Sequence, residues 1–177
     1  MLSLTAHMNS DPSIKSEDEV RKDLERFLED IDVVIIKRFD EGDFWGYWVK
    51  YGDFPLLIEN QKAKRYCVVA FQITLDEGPP ITHLNQYYAR GDSAFIYELT
   101  RAFTSPVTGF SRILEDGRVV GFTISRYIYP YYHDFSVKDL DRAVQAVVSQ
   151  GAIGIAFLKM TLGELRVETP VDRQNSV

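Results

Sequence analysis

The order of periodic segments along this chain predicts an α+β fold, a twisted and mainly antiparallel sheet with helices on one face. Three observations carry that prediction. Apolar stripes at helical spacing lie near both ends of the chain, four short strand-like runs follow the first of them, and an Asp-Gly turn joins two further apolar runs. The expected element order is α-β-β-β-β-α-β-β-α.

Residues 1–15 are small, polar and aperiodic, and read as a mobile lead-in. Ser16 and Glu19 have capping-box spacing, and Val20, Leu24, Phe27, Leu28 and Ile31 then share one face, so a helix is expected over 17–30. Strands are expected over 33–39, 44–51, 55–60 and 65–75, separated by the turns at Asp40–Asp43, Gly52-Asp53 and Gln61–Lys64. Such short connections favour a meander of antiparallel neighbours. Gly78-Pro79-Pro80 stops the sheet. Residues 81–88 and 92–103 read as a helical layer broken at Gly91, with Asp92 as a helix cap. Ser105-Pro106 ends that layer. The Asp116-Gly117 turn sets up a hairpin of 110–115 and 119–129, with Val120, Phe122, Ile124 and Ile128 facing the core. Ser136 and Asp139 open a last helix whose stripe runs through Leu140, Val144, Val147, Val148, Gly151, Ile155, Leu158 and Leu162. Gly151 also permits a helix end followed by a strand over 152–160; the helix is the preferred reading. One domain over 16–168 is expected, with a polar, frayed tail over 169–177.

A chain of 177 residues with net charge −6 and 13% aromatic residues is long enough to bury its own core. Its charge gives no general attraction to phosphate backbones or anionic lipid, so neither nucleic acid nor membrane is an expected partner. Lys62, Lys64 and Arg65, the one local basic cluster, read as a solvated hairpin turn. A single cysteine, Cys67, excludes an internal disulfide and a cysteine-based metal site, and its place in an apolar run marks it as a buried hydrophobe. The first ten residues lack a signal-peptide pattern, and a reducing cytoplasm is the expected setting. No cofactor or metal is expected, because His7, His83 and His133 lack ligand spacing.

Most reactive-looking motifs have plainer explanations. His133-Asp134 are adjacent loop residues without a nucleophile nearby. Glu17, Asp18 and Glu19 suit a helix start. Arg90-Gly91-Asp92 reads as a helix breaker followed by a cap. No catalytic residue is assigned. More informative is the last helix, which at 1.5 Å per residue would span about 45 Å over 136–165. Its second half, GAIGIAFL over 151–158, is apolar nearly all round, more than one sheet face can cover. Ala152, Ile155 and Phe157 are therefore expected in a two-fold interface. The Tyr127–Tyr132 cluster either packs under that helix or presents Tyr127 and Tyr129 on a second surface.

This order of elements, with Tyr127–Asp139 (YIYPYYHDFSVKD) leading into the last helix, resembles the type III secretion chaperone-like superfamily. Within it, the chain looks like an archaeal uncharacterised branch related to YbjN-like proteins. The resemblance covers residues 16–165 and rests on topology, so no functional residue is carried over. It implies a small non-enzymatic homodimer that binds segments of other proteins. The alternative is a small-molecule binder or enzyme with an aromatic pocket made by Trp45, Trp48 and the Tyr127–Tyr132 cluster.

Overall fold

The computed structural model describes residues 14–163 and 167–168. The expected lead-in and tail lie outside these residues, apart from Ile14 and Lys15. Those two are tied down, Ile14 bridging to Tyr132 and the Lys15 N–H donating to the Tyr131 carbonyl at 2.9 Å.

The elements are α1 (Glu17–Asp30), β1 (Val34–Glu41), β2 (Phe44–Tyr51), β3 (Phe54–Gln61), β4 (Cys67–Leu75), α2 (Pro79–Arg90), α3 (Ser93–Phe103), β5 (Gly109–Glu115), β6 (Arg118–Ile128), α4 (Val137–Leu162) and β7 (Val167–Glu168). The expected α+β class and coarse order hold. The strands pair antiparallel in the order β1-β2-β3-β4-β6-β5, and β7 adds a short pairing to Thr74 and Leu75 of β4.

Local chemistry explains the boundaries. Both capping boxes form: the Ser16 N–H donates to the Glu19 carboxylate at 2.8 Å, and the Ser136 N–H to Asp139 at 3.0 Å. Helix α2 begins at Pro79, two residues before the expected start at Ile81, because proline in the first turn gives up only an N–H that has no partner there. Gly91 takes the left-handed conformation (φ 62°) that ends α2, and Asp92 accepts from the Phe95 N–H at 3.0 Å to start α3. The Asp116-Gly117 turn has positive φ at both residues, 49° and 77°, as a two-residue hairpin requires. Residues 152–160 are helical.

Alternation along each strand sorts residues onto two faces. Trp45, Tyr47, Val49, Leu56, Ile58, Phe71, Ile73, Phe122 and Ile124 belong to one core, shared with Leu24 and Leu28 of α1 and Val144, Val147 and Leu158 of α4. Gly151 sits against the Phe71 ring and Gly154 against the Phe103 ring, so α4 lies close to both β4 and α3. Buried polar groups tie the layers. Gln150 donates to the Ala102 carbonyl at 2.5 Å, and Asn85 exchanges two hydrogen bonds with the Val119 backbone, each 2.9 Å. By length and composition α4 could cross a bilayer, and 44% of its most apolar stretch is buried inside the protein.

Candidate interaction surfaces

Once α4 commits Gly151, Gly154, Leu158 and Leu162 to the core, its geometry decides what remains outside. Helical spacing leaves Ala152, Ile153, Ala156 and Met160 as a second stripe, all exposed, with Ile153 at 54% and Met160 at 80%. The first half of the same outer face is polar, carrying Lys138, Arg142, Gln145 and Ser149. Of the three α4 residues expected at an interface, Ala152 lies in this stripe. Ile155 and Phe157 are half-buried against the chain's own core, Phe157 with its ring centroid 6.0 Å from that of Phe95. Ile153 and Met160 were missed by sequence reasoning. The signal was there: with Gly151, Leu158 and Leu162 inward, positions 153, 156 and 160 face outward.

A second surface lies where β6 runs into α4. Tyr127 is 57% exposed and Tyr129 53%, while Tyr131 is buried. Tyr129 and Tyr132 stand 6.5 Å apart, and a groove of about 300 Å³ runs beside them, lined by Arg126, Tyr127, Tyr129, Asp134, Phe135 and Asp139. Arg126 reaches over it to donate to the Arg142 carbonyl at 3.2 Å, and Asp139 is engaged in the α4 cap. His133 and Asp134 are both exposed in this loop.

The aromatic pocket proposed from sequence does not assemble. Trp45 and Trp48 are three residues apart in one strand, which puts them on opposite faces of β2. Trp45 is 1% exposed, under the Arg21 guanidinium at 4.4 Å, whereas Trp48 lies on the helix-free face. Arg21 itself bridges Glu17 at 2.6 Å and Asp40 at 2.7 Å, which docks α1 on β1. Behind Trp45, the Tyr131 hydroxyl donates to Asn60 at 3.4 Å, and Asn60 donates to the carbonyls of Lys64 and Tyr66, at 3.0 and 2.6 Å. This buried cluster clamps the basic hairpin turn, in which Lys62 also pairs with Asp40 at 2.6 Å.

Cys67 belongs to the same cluster and is fully buried; burial pushes its thiol up to about 12. Its thiolate is inaccessible in both senses, by shape and by protonation. Iodoacetamide at pH 8 is therefore expected to label Cys67 in the native protein at least about a hundredfold more slowly than in urea, read by intact mass. Native labelling within tenfold of the urea rate would mean that this corner opens freely.

No family model matches the chain, and no curated protein does. Among solved structures, it is similar to an uncharacterised protein from Methanothermobacter thermautotrophicus, with TM-score 0.66 and 11% identity over 81% of this chain and 99% of that one. It also aligns with YbjN from E. coli at TM-score 0.48 and 10% identity, over 84% of this chain and 95% of that one, a likeness too loose to argue from. What the first similarity establishes is the fold, shared with an archaeal protein that is itself uncharacterised.

Proposed function

We propose that this chain is a non-catalytic protein-binding module that works as a homodimer, in the manner implied by the type III secretion chaperone-like resemblance, and that it acts in the cytoplasm. The supporting observation is the outward apolar stripe Ala152, Ile153, Ala156 and Met160 on a helix whose larger apolar residues are otherwise buried or packed against the core. An antiparallel pairing of two α4 helices crossing at Ala156 would set Met160 of each copy over Ala152 and Ile153 of the other. Small residues at the crossing let the helices approach, and the polar first halves diverge into water. Tyr127 and Tyr129 add exposed aromatic area suited to a second contact.

A standard stable interface buries about 800 Å² per partner, and one helical stripe falls short of that, so the expected self-affinity is of micromolar order. Sedimentation equilibrium from about 1 to 100 μM is expected to show a monomer–dimer equilibrium. The double variant I153D/M160D should stay monomeric throughout, with its melting temperature unchanged. A wild-type protein that stays monomeric to the top of that range would overturn the dimer. A second reading, a small ligand held in the Tyr127–Tyr129 groove, has its volume of about 300 Å³ in its favour, at the lower end of ligand sites.

A further inference from the structure

The sheet has two faces, and among the described residues the helices use one of them. Glu25 and Arg21 of α1, Gly151 of α4 and Phe103 of α3 all meet strand residues on the core face. On the other face, two cross-strand rows run through the middle of the sheet. One aligns Phe39, Gly46, Glu59, Val68 and Tyr127, with the Phe39 ring over Gly46; the next aligns exposed Lys37, Trp48, Leu57, Ala70 and Ser125. Leu57 and Ala70 are only 8% and 4% exposed, yet neither belongs to the core cluster. They lie beneath their neighbours, and the accessible apolar surface of this face is half-buried Phe39, Trp48 and Val68 with exposed Tyr127.

Glu59 stands in the middle of this surface. Its cross-strand neighbours are Gly46 and Val68, which offer no charge and no side-chain hydrogen bond. Among the described residues its carboxylate has no ion-pair or hydrogen-bond partner, and burial alone raises its pKa above the ordinary value. Glutamate is a poor strand former, and a half-buried, unpaired carboxylate is a cost to the isolated fold. A cation arriving with the partner would remove that cost.

We infer that the helix-free face of the sheet, with Glu59 at its centre, is a docking surface for an extended protein segment that presents a Lys or Arg side chain between apolar ones. The aliphatic parts of the segment lie on Val68 and the Phe39 ring, Trp48 and Tyr127 flank it, and the cation meets Glu59. This inference rests on the protein-binding reading above and adds the chemistry of the partner. It uses a different face from the α4 stripe, so self-association and partner binding can be separated.

The test is fluorescence anisotropy of two labelled peptides about ten residues long, one alternating Leu and Arg and the other Leu and Glu, titrated with the full chain. The Arg peptide should bind and the Glu peptide should not. E59Q should weaken the Arg peptide about tenfold, since a charge-assisted pair is lost. D18N, which removes an equal charge from α1, should change binding by less than about twofold. I153D/M160D should retain binding even where it abolishes the dimer, so that the two readings fail separately. No binding of the Arg peptide, equal binding of the Glu peptide, or equal effects of E59Q and D18N would each overturn the inference. So would loss of self-association in E59Q, which would make this face a contact between copies. The E59Q protein should melt no lower than wild type, which excludes unfolding as the cause of lost binding.

Discussion

Replacing Gly121 by alanine is expected to lower stability by about 3 kcal/mol or more, a drop of roughly 10 °C in melting temperature for a chain of this size. The backbone of Gly121 is ordinary extended strand, so local conformation does not forbid a side chain. The obstacle is the neighbouring strand. A Cβ here would fall inside the carbonyl oxygen of Ile73 and sit 3.0 Å from the Thr74 Cα. These are backbone atoms held in the β4–β6 ladder, where Gly121 pairs with Thr74, and they cannot swing away as the tip of a side chain can. Gly46 repeats the situation between β2 and β3. A Cβ there would overlap the Ile58 carbonyl, with the Glu59 Cα at 2.9 Å and the Phe39 ring, also at 2.9 Å, closing over the top. G46A is therefore expected to be as costly. Gly109 is the control, with neither a positive φ nor any atom within 4 Å of a built Cβ, and G109A should stay within about 0.5 kcal/mol of wild type. Thermal and urea melts of the three variants decide the matter. A G121A protein that melts with G109A would show that β4 and β6 can part without loss.

These glycines mark what a sequence conceals. The sequence makes helix boundaries legible because capping is local: Ser16 with Glu19, Asp92 with the Phe95 N–H, and Ser136 with Asp139 are contacts three residues apart. Strand order was legible for the meander, where each turn dictates its neighbour. It could not reveal that β6 inserts between β4 and β5, because that pairing spans some fifty residues of intervening chain and depends on where α2 and α3 dock. The surfaces were legible in part. Surplus apolar area on α4 could be read from GAIGIAFL, but which residues faced out depended on the close approach of Gly151 and Gly154 to Phe71 and Phe103. Ile155 and Phe157, expected at an interface, stand half-buried against the chain's own core. Glu59 carried no sequence signal, since a glutamate near a strand end is ordinary until its two neighbours are known to be glycine and valine. Trp45 and Trp48 were grouped in one pocket although the period of two along a strand sets them on opposite faces.

The two α4 glycines supply the second large effect, and here two opposing terms must be weighed. Glycine inside a helix is worse than alanine by about 0.5–1 kcal/mol, so G151A and G154A would both stabilise a solvent-exposed helix. In this fold the new Cβ at 151 would lie 2.6 Å from the Phe71 Cε1 and closer still to its Cδ1. At 154 it would lie 2.7 Å from the Phe103 Cζ. Neither ring is free to move. Phe71 is 2% exposed and edge-on to Phe54 at 5.7 Å, and Phe103 is fully buried against Phe122 at 4.7 Å and Phe110 at 5.8 Å. Overpacking of this kind costs about 1–3 kcal/mol or more, so the steric term wins and each variant should lose about 2 kcal/mol net. Relief by shrinking the ring separates this from a helix defect. F71L alone leaves a gap and should cost about 1 kcal/mol, whereas F71L combined with G151A should be more stable than G151A alone. The coupling is specific, because F71L should do nothing for G154A, whose Cβ meets Phe103. If G151A and F71L instead add without coupling, α4 does not press on β4 at this point. The tight seat that turns Ala152, Ile153, Ala156 and Met160 outward would then be lost, and with it the structural basis for the dimer.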